Sequence, residues 1–162
     1  MSEQKPNFVV DSMLGNLSGK LRILGFNSKY FSTIEDNQLI ELAKKENRVI
    51  VTKDEGLAKT ADKMGILVVL IRGNVEVNQI IEIATKIGLS NFVMDTNSAR
   101  CVNCNGRLEP VEKSGLENKI PTGVYERQDQ FWVCVECQKI YWTGTHFKKL
   151  QEFVTRLNQR LR

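Results

Sequence analysis

The stretch RVIVTKDEGLAK, residues 48–59, carries an apolar strand straight into Thr52, Lys53 and Asp54 and then turns helical. Residues 7–17, NFVVDSMLGNL, repeat the move: an apolar run stops on Asp11, and leucines at helical spacing follow. A strand that ends on an acid and gives way to a helix is the opening of a βα unit. Units of this kind build a parallel sheet with helices on its faces. In such sheets the working edge lies beyond the carboxyl ends of the strands, where Asp11 and Asp54 are expected.

The neighbouring segments fit the same scheme. Leu14, Leu17, Leu21 and Leu24 recur at helical intervals, and Gly25 suits the end of that helix. Strands are expected at 8–10, 28–31, 49–51 and 66–71. The last is a run of six apolar residues expected to be buried on both faces. Helices are expected at 37–47, 57–64 and 77–87. The fold class is therefore α/β, a parallel sheet with helices on both faces. Residues 1–97 form this unit, 98–146 a small cysteine module, and 147–162 a terminal amphipathic helix with Phe147, Leu150, Val154, Leu157 and Leu161 along one face. Residues 90–100 read as the connecting linker.

At 41% hydrophobic and 26% charged, the composition is that of a soluble globular chain. No apolar run is long enough to span a bilayer, so no membrane partner is expected. The first fifteen residues have no basic start and apolar centre, and the expected compartment is the cytoplasm. The net charge of +4 falls wholly on residues 98–162, because the first 97 carry equal numbers of acids and bases. This is a mild bias towards a polyanionic partner.

The four cysteines, Cys101, Cys104, Cys134 and Cys137, form two C-x-x-C pairs. In a reducing compartment they read as two knuckles closing a tetrahedral zinc site, with a redox dithiol as the rival. The 29 residues between the pairs are expected to form a hairpin with an extended loop. A closed four-sulfur shell leaves no position for water, so the zinc is structural. His146, the one histidine, is not expected to bind it. Phe131, Trp132, Tyr141, Trp142 and Phe147 surround the second knuckle; they suit a small core, or stacking on unpaired bases.

Three carboxylates have the placement for chemistry: Asp11, Asp36 and Asp54. Asp36 opens the helix after the second strand, with Glu35 able to replace it. Carboxylates crowded together resist ionising at once. A magnesium or manganese ion removes that cost and activates water against a phosphodiester. Each aspartate also suits a helix cap. Lys53 could hold a phosphate and the Thr52 hydroxyl could fix a carboxylate rotamer; Arg22, Arg72, Arg107 and Lys139 are further candidates for the substrate. A phospho-receiver domain needs an acidic pair after its first strand, whereas Ser12, Met13 and Leu14 follow Asp11.

The segments FVVDSMLGNLSGKLRILGFNS, IEDNQLIELAKKENRVIVTKDEGLAK and the pair CVNCNGRL and YERQDQFWVCVECQKIYWTGTHF together resemble the Mut-seven C-terminal RNase family over roughly residues 7–150. The resemblance implies a PIN-like nuclease domain with a C-terminal zinc ribbon. It implies metal-dependent cleavage of single-stranded RNA, with rRNA or tRNA among the possible targets. Asp11 and Asp54 match the acidic positions of the metal site and Asp36 the acid heading the second helix. A homodimer and an association with the ribosome are further expectations. The alternative is a non-catalytic RNA- or ribosome-binding adaptor that works through its ribbon.

Overall fold

The computed structural model describes residues 4–162; the first three residues of the expected 1–97 unit lie outside them. Four parallel strands, β1 (Asn7–Val10), β2 (Ser28–Tyr30), β3 (Arg48–Thr52) and β4 (Val68–Leu70), pair in the order β2-β1-β3-β4. Helices α1 (Gly15–Ile23), α2 (Asp36–Glu46) and α3 (Glu55–Lys63) link successive strands, and α4 (Glu76–Ile87) follows β4. The chain leaves β1 for β2 on one side and returns to β3 on the other. The strand order therefore reverses between β1 and β3, and there the crevice of an open parallel sheet forms.

The period of two along each strand sorts side chains onto two faces. Phe8, Val10, Val49 and Val51 pack with Leu17, Leu21, Ile80 and Ile83 under α1 and α4. Val9, Ile50 and Val68 pack with Leu39, Ile40, Leu57 and Ala61 under α2 and α3. Gly25 and Gly88 take positive φ just past α1 and α4, the left-handed backbone that most residues avoid.

The expected burial of 66–71 holds only in part. β4 is the edge strand, and Leu67, just before it, is 46% exposed. Residues 90–100 are no free linker either. Phe92 is buried in the α1–α4 core, its N–H donates to Asn158 Oδ1 at 2.8 Å, and its carbonyl accepts from Asn158 Nδ2 at 2.9 Å. Asn158 belongs to α5, the terminal helix (Thr145–Leu161). (A short helix of six residues, Thr122–Arg127, precedes it in the cysteine module.) Helix α5 packs against α4 and buries Phe153, Val154 and Leu157 in the same core as Phe8. The amphipathic stripe was legible; its docking surface was not.

The cysteine module is an antiparallel three-stranded sheet of β5 (Leu108–Val111), β6 (Phe131–Cys134) and β7 (Ile140–Trp142), in that order. Pro110 sits in β5, an edge strand, where its missing N–H breaks no inner ladder. The segment between the cysteine pairs forms the expected hairpin, β5 pairing antiparallel with β6, but its long loop was expected to be without elements of its own. It instead holds a 3-10 turn (Lys113–Gly115), the buried Leu116 and the short helix at Thr122–Arg127, which starts after Pro121.

Candidate metal centre and acidic edge

Each cysteine pair closes a knuckle by the same backbone pattern. Asn105 N–H donates to the Cys101 carbonyl at 2.8 Å, and Gln138 N–H to the Cys134 carbonyl at 3.0 Å. Both residues follow the second cysteine of their pair and both take positive φ, 70° and 67°. The four sulfurs lie within 4.8 Å of one another. Cys101 and Cys137 Sγ are 3.6 Å apart and Cys104 and Cys134 Sγ 3.4 Å, while all four cysteines are free of disulfides. Four thiolates at about 2.3 Å from a tetrahedral zinc stand about 3.8 Å from each other. The cluster therefore fits an ion such as zinc, and its all-sulfur donor set suits a soft or borderline metal.

The sulfurs do not ionise with equal ease. Burial works against ionising Cys101, yet hydrogen bonds from the Tyr141 hydroxyl and from the backbone of Cys104 and Asn103 bring its thiol down to about 7. The Tyr141 oxygen is 3.1 Å from Cys101 Sγ and accepts from Val102 N–H at 3.1 Å, which aims its proton at sulfur. Desolvation pushes the Cys104 thiol up to about 12. Gly106 is required by close approach: a Cβ there would lie 2.7 Å from Cys134 Sγ. His146 is exposed and outside the sulfur cluster.

The first knuckle is bolted to the α/β unit. Arg22 is buried, and its Nε donates to the Ser28 carbonyl and its Nη1 to the Val102 carbonyl, both at 2.8 Å. Its own carbonyl accepts from Arg100 N–H at 2.9 Å. Asn105 Oδ1 accepts from Ser28 N–H at 3.0 Å, and its Nδ2 donates to Asn27 Oδ1 at 2.8 Å. Arg22, expected to be available to phosphate, is thus engaged in joining α1 to the ribbon. Asn27 and Asn105 escaped the sequence reading; only the positive φ demanded after Cys104 favours an asparagine there.

At the other end of the sheet, pleating decides which way Asp11 and Thr52 face. Asp11 continues β1, and its N–H donates to the Val51 carbonyl at 2.9 Å. By alternation Asp11 shares a face with Val9, and Thr52 with Ile50, which is the face covered by α2 and α3. Thr52 is fully buried, and its Oγ1 donates to Asp11 Oδ2 at 2.7 Å and accepts from Asp54 N–H at 3.0 Å. A buried, fully engaged hydroxyl makes Thr52 a positioning residue and withdraws it from the set that could touch a substrate. Asp11 is 8% exposed, and its second oxygen accepts from Ser12 N–H at 2.8 Å.

Asp54 caps α3, Oδ1 accepting from Leu57 N–H at 3.0 Å. Glu35 is the N-cap of α2, tied to Gln38 Oε1 through its backbone N–H at 3.4 Å. Asp36 lies one residue inside, relieved of capping. Its carboxyl is raised above the ordinary value, by desolvation first and then by the charges of Asp54 and Asp11. The three acids therefore share one electrostatic neighbourhood, at the positive ends of two helices. Among the described residues, the four sulfurs are the one group of three or more metal-type donors drawn close enough to grip a common ion; the aspartates stand more openly.

The remaining predicted contacts are scattered. Lys53 Nζ donates to Asn74 Oδ1 at 2.8 Å beside the acidic edge. Arg72 is exposed there too, 4.0 Å from Glu55. Arg107 pairs with Glu109 at 2.9 Å on the ribbon, and Lys139 lies over the Tyr141 ring at 5.4 Å. No helix among the described residues is long and apolar enough to cross a membrane.

A sequence model of the Mut7-C RNAse domain matches residues 6–154. No curated protein and no solved structure matches the chain.

Proposed function

This chain belongs to the Mut7-C RNAse domain family, and on that premise we propose that it is a metal-dependent endoribonuclease cleaving single-stranded RNA. The nuclease unit, PIN-like in kind, is assigned to residues 1–97, the zinc ribbon to 98–146 and the terminal helix to 147–162. The observation that carries this reading is the acidic edge at the switch point of the sheet, where Thr52 Oγ1 bonds both Asp11 Oδ2 and the Asp54 N–H. Three oxygen-donor side chains with mutually unfavourable charge suit a hard divalent cation such as magnesium or manganese. Such an ion, when bound, would activate water and stabilise charge on the phosphate.

The chain's own residues prepare that site. Thr52 and the Ser12 amide fix both oxygens of Asp11, leaving further lone pairs of a carboxylate that has about four. Asp54 accepts one hydrogen bond through Oδ1. Asp36 supplies the third carboxylate, and Lys53 and Arg72 stand nearby for phosphate. The ribbon, held by a structural zinc, docks RNA, with Arg107 and Lys139 on its surface. Four free thiols suit a reducing cytoplasmic setting.

The test is incubation of the purified chain with end-labelled single-stranded RNA, with and without manganese, beside Asp11→Asn and Asp54→Asn. Cleavage should require the ion and fall to background in both variants. If both cut as fast as the parent, the nuclease assignment is wrong. The adaptor reading draws on a specific observation as well: Asp11 and Asp54 already serve as caps. RNA retention without turnover in either metal would decide for it.

A further inference from the structure

A groove of about 900 Å³ runs where β7 and the start of α5 face α1 and the start of α4. It lies across the sheet from the three aspartates, on the α1–α4 face. Its wall is aromatic: Tyr141, Trp142 and Phe147 line it together with Phe153. Its charge is one-sided. Lys139, Lys149 and Arg156 lie along it, and its single carboxylate, Glu76, is already paired with Lys20 at 3.5 Å. Lys149 and Arg156 are exposed and have no ion-pair partner among the described residues.

The groove also leads somewhere. A second depression of about 270 Å³ shares Lys20, Ile23, Glu76 and Val102 with it and continues along α1 to Asn16 and Gly15. One 3-10 turn, Ser12–Leu14, separates Gly15 from Asp11, and Met13 in that turn is 66% exposed. Aromatic faces between cations are the means by which proteins hold unpaired bases and their backbone. An apolar protein partner would leave the cations unmatched, and a duplex hides its base faces.

We propose that this groove is a binding site for a single-stranded RNA segment, which stacks bases on Trp142 and Phe147, sets phosphates against Lys149 and Arg156, and delivers the strand along α1 to the acidic edge. The choice of RNA rests on the ribonuclease reading; the groove's chemistry does not.

The test is fluorescence anisotropy with labelled single-stranded RNA of about 12 nucleotides, within the usual site size, on the full Asp54→Asn chain so that the probe stays intact. Removing two phosphate contacts by Lys149→Gln together with Arg156→Gln should flatten the salt slope by about 1.4 and weaken binding about 25-fold at about 0.1 M salt. Phe147→Ala should weaken it about tenfold, one stacked base. Zinc content and the thermal midpoint report folding, and both charge changes are at exposed positions. Affinity unchanged by the double variant, equal affinity for duplex RNA of the same length, or no measurable binding would each overturn the groove. If the parent never cleaves RNA yet the variants lose affinity, the groove stands and the nuclease reading falls. If the parent cleaves and the double variant binds as the parent does, the reverse holds.

Discussion

Replacing Thr52 by valine tests the architecture of the acidic edge directly. The two side chains have nearly the same shape, so no cavity opens in a position with no solvent exposure. What disappears is the hydroxyl. The bond to Asp11 Oδ2 at 2.7 Å involves a carboxylate that is itself buried, and bonds to charged groups contribute about 1.5–3 kcal/mol. The Asp54 N–H loses a neutral acceptor at 3.0 Å, about 0.5–1.5 kcal/mol, part of which water restores because Asp54 is exposed. The sum is about 3 kcal/mol, which for a chain of this size lowers the melting midpoint by roughly 6–12 °C. Scanning calorimetry or circular dichroism melts of the zinc-loaded protein measure it. Thr52→Ser, which keeps the oxygen, should recover most of the loss. Manganese-dependent cleavage should fall further than stability alone explains, since Asp11 loses its fixed rotamer. A valine variant as stable as the parent to within about 0.5 kcal/mol and equally active would refute the claim that this hydroxyl organises the edge.

Three further outcomes follow from other parts of the structure. Tyr141→Phe removes the hydroxyl beside Cys101 Sγ and should lower zinc affinity about 10- to 100-fold, read by competition with a chromophoric chelator. Asp36 has its folded-state value raised above the ordinary 3.8; such a carboxyl favours the fold when protonated, and that contribution is lost as pH rises through the folded-state value. Asp36→Asn should therefore be slightly more stable than the parent at neutral pH without divalent ions, with the gap closing below pH 3.8, and manganese should raise the parent's midpoint more than the variant's. Arg22→Ala strands two carbonyl acceptors at the ribbon junction; hydrogen exchange around residues 100–107 should accelerate, with a stability loss of about 2–4 kcal/mol. Unchanged protection there would show that the ribbon is held by other contacts.

The sequence alone determined whatever is written in short windows. The apolar runs ending on Asp11 and Asp54 located two strands and two helix starts, because strand pleat and helical spacing are local periods. The C-x-x-C pairs located the four sulfurs, because a knuckle is closed by its own backbone. That Asp11 and Asp54 would follow the carboxyl ends of β1 and β3 was legible from the same topology.

Tertiary packing decided the rest. Arg22 and Val102 are 80 positions apart, and nothing near Arg22 in the chain says that its guanidinium will be enclosed by the ribbon. The role of Thr52 turned on its standing beside Asp11, 41 positions away. Helix α5 carried a readable apolar stripe but no sign of the core it joins. Long-range burial selects among side-chain roles that are chemically equivalent in sequence, since the same arginine, threonine or aspartate can bind a ligand, cap a helix or close a joint depending on what desolvates it.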